Sequence, residues 1–211
     1  MNISQEKYRR DYILIKVMYE DIHYQMQQFV KGKNTNEKLI ALKYAMIPLN
    51  QVLDHRKTLA KYVIDIPELK KYDKLYKHLD FFKHVRNKLS GHLDNDVVRM
   101  ASEWEPHIFH PKCKDDKELQ LFTILKSLFE TSINSYKGQG TQQLFQKEID
   151  ILVDERLLID TIVRVMEDTL NYLCDIMLYI DNKKIEYEAF IEDIMKASMV
   201  DFKQLGNKRH K

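Results

Sequence analysis

Glycine and proline are scarce in this chain, with 5 Gly and 4 Pro among 211 residues. All-β folds need many tight turns, and turns consume those two residue types, so a sandwich or barrel is excluded. Cysteine is equally sparse. Cys113 and Cys174 stand far apart and form no disulfide framework, which points to a reducing cytoplasm. No apolar run approaches the roughly 18 residues of a membrane helix. Residues 1–21 interrupt their apolar positions with charge every few residues, unlike a signal peptide or an anchor, so no membrane partner is expected. A dominant charge is missing too: 34 Lys and Arg face 32 Asp and Glu, a formal net charge of +2. A passive coat for nucleic acid would be far more basic, so any nucleic-acid role must rest on a local patch. No glycine-rich phosphate loop occurs.

What is present is helix-forming. The hydrophobic fraction of 44% supports a sizeable core. Over residues 4–31, Ile15, Tyr19, Ile22, Met26 and Phe29 recur at steps of three and four, and Gly32 ends the run. A second helix is expected over 35–64, capped by Thr35 or Asn36. Pro48 should kink or break it near residues 45–47. Pro67 opens a third helix with the stripe Leu69, Tyr72, Tyr76, Leu79, Phe82 and Leu89. Residues 93–116 read as irregular, with one short helix near 95–104. Another helix over 116–136 is closed by Gly138 and Gly140.

Residues 141–181 lack both glycine and proline. One stripe runs Phe145, Ile149, Leu152, Ile159, Val163, Met166 and on to Ile180; a second column, Leu144, Ile151, Leu158, Val165, Tyr172 and Tyr179, keeps strict sevens. A continuous helix of that length would span about 60 Å. Its apolar face is wider than a two-stranded seam, as suits a core helix, part of whose face could also be a dimer interface. A last helix is expected over 184–202, before a basic tail at 203–211. The fold expected is all-α: an elongated bundle of about five to seven helices with one long central helix, forming a single domain over residues 1–211.

The stretch that can carry chemistry is Lys83-His84-Val85-Arg86-Asn87-Lys88-Leu89-Ser90-Gly91-His92-Leu93-Asp94. A histidine near its ordinary pKa can take the proton of a ribose 2′-hydroxyl or return one to the leaving oxygen. An arginine can grip the phosphate and offset its transition-state charge. An asparagine can orient either partner. On an unbroken helix Arg86 and His92 would lie about 120° apart. The pair therefore needs a helix break at Gly91, or a second copy of the chain. Residues 70–92 hold seven basic residues against two acidic, a local +5 on a chain of +2.

This string resembles the HEPN superfamily, whose hallmark is Arg, a polar residue that is often Asn, three to five further residues, then His. Arg86, Asn87 and His92 stand at those positions, and the longer Arg-Asn-Lys…His-x-Asp string ending at Asp94 is similar to its abortive-infection branch. The resemblance implies a helical bundle that acts as a metal-independent endoribonuclease of toxin or phage-defence type. It also implies a homodimer, with two motif copies forming one cleft. On that reading Arg86, His92 and Asn87 are catalytic, Lys88, Lys83, His84 and Asp94 contact RNA, and no cofactor is needed. Asp94 stands where one toxin subset carries a tyrosine modified by a partner nucleotidyltransferase, so the resemblance does not carry control by that modification over to this chain. A partner antitoxin protein stays among the implied partners. The alternative is a non-catalytic module of the same kind that binds RNA, a nucleotide or a protein.

Other constellations compete. Glu103, Glu105, His107, His110 and Cys113 include zinc-ligand types, but a structural site shows a clearer ligand pair at each end. Trp104 and Phe109 are expected to anchor that loop to the core instead. Asp54-His55-Arg56 reads as an exposed face or as an outer partner of the motif. Ser90 lacks a base and an orienter for nucleophilic chemistry.

Overall fold

The computed structural model describes residues 3–91, 93–138 and 141–185. Helix α1 (Ile3–Lys31) stops one residue before Gly32 and buries Ile15, Met18, Ile22 and Phe29 along one face. Helix α2 (Thr35–Asp54) is capped by Asn34, one residue ahead of the expected Thr35 or Asn36. Asn34 Oδ1 accepts from Glu37 N at 2.9 Å, satisfying a free amide of the first turn, and the Glu37 carboxylate reaches back to accept from Lys33 N at 2.7 Å, just ahead of the helix.

Pro48 does not end α2. It lies buried inside the helix, among Ala45, Met46, Leu49 and Val52. Packing of that face outweighs the lost backbone donor. The chain breaks later, at His55 and Lys61, giving two short helices, α3 (Arg56–Ala60) and α4 (Tyr62–Asp65). Pro67 starts a 3-10 turn (Pro67–Tyr72) rather than the helix itself, and α5 (Leu75–Leu89) follows. Helix α6 (Asn95–Trp104) matches the expected short helix. After a 3-10 turn (Pro106–Phe109) come α7 (Pro111–Asp115) and α8 (Lys117–Asn134).

Gly138 belongs to a minimal antiparallel hairpin, β1 (Lys137–Gly138) with β2 (Thr141–Gln142). The loop after it is strapped to α8 by Asn134, which donates to Ile149 O and accepts from Ile149 N, both at 2.8 Å. Asp150 then caps α9 (Ile151–Lys183), accepting from Leu152 N and Val153 N. At 33 residues α9 is about 50 Å long. It falls short of the expected span because residues 141–150 form the strand and the strap.

Both expected rows face the core: Ile151, Leu158, Val165 and Tyr172 of the column of sevens are buried, as are Met166, Leu173 and Ile180 of the other stripe, in which Leu152 is the exposed exception at 65%. The core forms where α1 packs on α2 and α9, and α5 packs on α2, α8 and α9. Leu79 and Phe82 of α5 are fully enclosed, each stabilising the fold by about 1.5–3 kcal/mol. The chain is thus an all-α helical bundle with one long helix. Nine α-helical segments occur among the described residues, because the second expected helix is split and α7 adds a short piece. None of them is long and apolar enough to cross a membrane. The expected helix over 184–202 and the basic tail lie, beyond Ile185, outside the described residues.

Candidate functional site

One face of α5 is fixed by burial. Phe81, Phe82, Val85 and Leu89 are enclosed, and Phe81 meets Tyr136 and Phe145 edge-on at 5.4 and 5.7 Å between centroids. That anchoring decides where the neighbouring polar side chains emerge. Arg86 leaves from the edge of the buried face and is half-buried, while Lys83 and Asn87 project into solvent.

The helix ends where the sequence predicts a break. Arg86 O accepts from both Ser90 N (2.9 Å) and Gly91 N (2.8 Å), and the chain turns off the helix axis. Ser90 Oγ donates to Lys43 O of α2 at 2.7 Å, which ties this turn to a second helix. The turn lays Gly91 on the Arg86 guanidinium. A Cβ at Gly91 would stand 3.2 Å from Arg86 Cζ and 3.3 Å from Nη1. The Gly91 backbone is outside the left-handed region, so glycine is needed here for room rather than for conformation. Arg86 Nη1 donates to Asn87 Oδ1 at 3.0 Å, and Arg86 Nε is buried with no hydrogen-bond partner among the described residues. Arg86 and Lys88 also place positive charge at the negative end of the helix dipole.

Asp94 joins the two helices that flank the turn. Its Oδ1 accepts from Asp96 N and Val97 N at the start of α6, and its Oδ2 pairs with Lys88 Nζ at 2.6 Å. Its amide donates to Lys88 O at 3.1 Å. The Lys88 ammonium holds the Asp94 carboxyl below the usual carboxylate range. Lys88 and Asp94 therefore engage each other, whereas Lys83 is exposed.

His84 points away from this cluster. Its Nε2 lies 2.8 Å from Ser135 Oγ, and its ring sits 5.1 Å from Tyr136. Because Ser135 Oγ gives its own proton to Ser132 O, the His84 Nε2–H must be the donor. Burial, with Lys88 nearby, lowers the His84 pKa and so disfavours its charged form. The structure thus brings Arg86, Asn87, Lys88, Gly91 and Asp94 together and directs His84 to α8. His92 lies outside the described residues.

The competing sites resolve into structural contacts. Among the described residues no group of three or more His, Cys, Asp or Glu could hold a metal. Cys113 is buried, with Sγ 3.9 Å from Thr123 Oγ1; His107 pairs with Glu105; His110 caps α7 through Lys112 N. Ile108, not Trp104 or Phe109, anchors that loop, because the 3-10 turn points Ile108 inward and leaves the two aromatics exposed. Asp54 accepts from Asn50 Nδ2, and the Arg56 guanidinium lies over Tyr76 at 4.6 Å. A groove of about 490 Å³ between α1 and α9 contains no motif residue in its lining.

Two contacts escaped the sequence reading. Lys43 enters through its backbone carbonyl, which no side-chain pattern reveals. The buried Asp11 accepts from Tyr62 Oη at 2.7 Å and pairs with Lys61 Nζ at 2.7 Å. An acidic residue on the core face of α1 was its one signal. Comparison with family models, with curated proteins and with solved structures returns no match.

Proposed function

We propose that the chain is a metal-independent endoribonuclease of toxin or phage-defence type, with an Arg86/His92 site shared across a homodimer. The observation that carries this reading is the state of Arg86. Its guanidinium is steadied by Asn87, backed by Gly91 and left with a buried Nε–H that no described residue accepts. A phosphate oxygen would satisfy that donor. In this mechanism His92 takes the proton of the ribose 2′-hydroxyl, and the 2′-oxygen attacks phosphorus. The 5′-oxygen leaves with a proton from a histidine, leaving a 2′,3′-cyclic phosphate. Arg86 offsets the charge that develops on the phosphoryl oxygens. Asn87 orients the guanidinium, and Lys83 with the neighbouring lysines attracts the strand. The enzyme would work in the cytoplasm, with a partner antitoxin restraining it.

The test is incubation of the purified full chain with RNA in chelator. Fragments ending in cyclic phosphate are expected, and Arg86→Ala or His92→Ala should slow cleavage by roughly a hundredfold or more. A His92→Ala protein that cuts as well as wild type would overturn the mechanism. The Lys88–Asp94 ion pair favours one other reading, a non-catalytic module that binds RNA, a nucleotide or a protein, since these two charged motif residues hold the turn between α5 and α6. RNA binding that survives His92→Ala, with no cleavage by wild type, would establish that alternative.

A further inference from the structure

The Ser90–Lys43 hydrogen bond sets the motif turn beside α2, and the next residue along α2 is an exposed tyrosine. Tyr44 is 50% exposed, and the Lys43 ammonium lies 6.0 Å from the centre of its ring. Across from it on α1 stands Tyr24, 57% exposed. The two rings line one groove of about 350 Å³ between α1 and α2, together with Gln25, Gln28, Lys31 and Ile40. A tyrosine costs free energy when its ring faces water, and neither ring is needed to close the core.

We propose that this groove binds the bases of single-stranded RNA, with Tyr24 and Tyr44 as stacking platforms beside the Arg86 site. The inference rests on the RNA reading above and adds to it where the strand lies next to the reacting phosphate. Three features select this occupant. Aromatic faces stack on any unpaired base, whereas bases within a duplex are already stacked. The Gln25 and Gln28 amides carry both donors and acceptors, as base edges do. Charge favours phosphate: Lys31 lines the groove, the Lys43 ammonium lies against the Tyr44 ring, and the acid in the lining, Glu37, accepts from Lys33 N just ahead of α2. A protein helix would want a continuous apolar strip, and Ile40 is the one exposed aliphatic side chain in this lining.

The experiment measures binding of the full chain to a fluorescent, uncleavable 2′-O-methyl single strand by anisotropy. An abasic strand of equal length and charge serves as the comparison. Tyr24→Leu and Tyr44→Leu should each weaken binding roughly five- to a hundredfold, the range for loss of one stacked base. Tyr44→Phe should bind like wild type, and the abasic strand should bind wild type and Tyr44→Leu alike. Unchanged affinity in leucine variants whose circular dichroism is that of wild type would overturn the proposal. So would an abasic strand bound as tightly by wild type as the natural one, or a Tyr44→Leu change that splits a dimer without altering RNA affinity. The cleavage assay is read separately. Tyrosine-dependent binding without cleavage sinks the nuclease and leaves the groove standing; cleavage with tyrosine-independent binding does the reverse.

Discussion

Arg86 and Gly91 form a pair whose meaning depends on a distance of a few tenths of an ångström. With a Cβ at residue 91 only 3.2 Å from Arg86 Cζ, the guanidinium must shift, and its long side chain allows it to do so. Gly91→Ala should therefore leave thermal stability within a few degrees of wild type; under the proposed nuclease function it should also lower RNA cleavage at least tenfold, because a displaced guanidinium misses the phosphate. Equal activity in the two proteins would deny that Gly91 positions Arg86. The Arg86–Asn87 adjacency and the break at Gly91 were legible in the sequence. The steric reason for the glycine was not, since nothing in a residue string shows that the turn folds back onto a side chain three residues before the helix ends. The role of His84 was equally hidden, because its partner Ser135 is 51 residues away.

Helix identity follows periodicity, but helix ends follow local bonds. The apolar spacing of α1 and α8 located them closely, and the short α6 lies where a short helix near 95–104 was expected. Pro48 misleads because burial of its neighbours outweighs its missing donor. The start of α9 misleads for another reason. Apolar side chains at 144, 145 and 149 continue the heptad spacing, yet they sit on a strap that packs against the core rather than on the helix. Asn134 holds that strap by replacing a strand partner for Ile149. Asn134→Ala would leave a buried N–H and a buried C=O without partners, at about 1–3 kcal/mol each. A fall of a few kcal/mol in unfolding free energy by urea titration is expected. A loss below 1 kcal/mol would mean that water replaces both bonds.

Acid should loosen the whole molecule. Burial lowers the pKa of both His78 and His84 in the folded state. The unfolded chain, with histidines near pKa ~6.5, then binds protons first as pH falls. Stability is therefore full above the ordinary histidine range and is lost on the way down through it. Melting temperature should fall between about pH 7.5 and about pH 5.5, and His84→Gln should flatten that slope. A melting temperature independent of pH over this window would contradict the sign.

Gln5 Nε2 donates to Lys184 O at 2.8 Å across 179 positions, and α1 lies along α9. During synthesis, α1 and α2 can pair as soon as both have left the ribosome, but the remaining flank of α1 stays bare until the long helix arrives. Such distant pairing slows folding and keeps apolar surface open meanwhile. A nascent chain would carry its motif turn well before it carries a closed core.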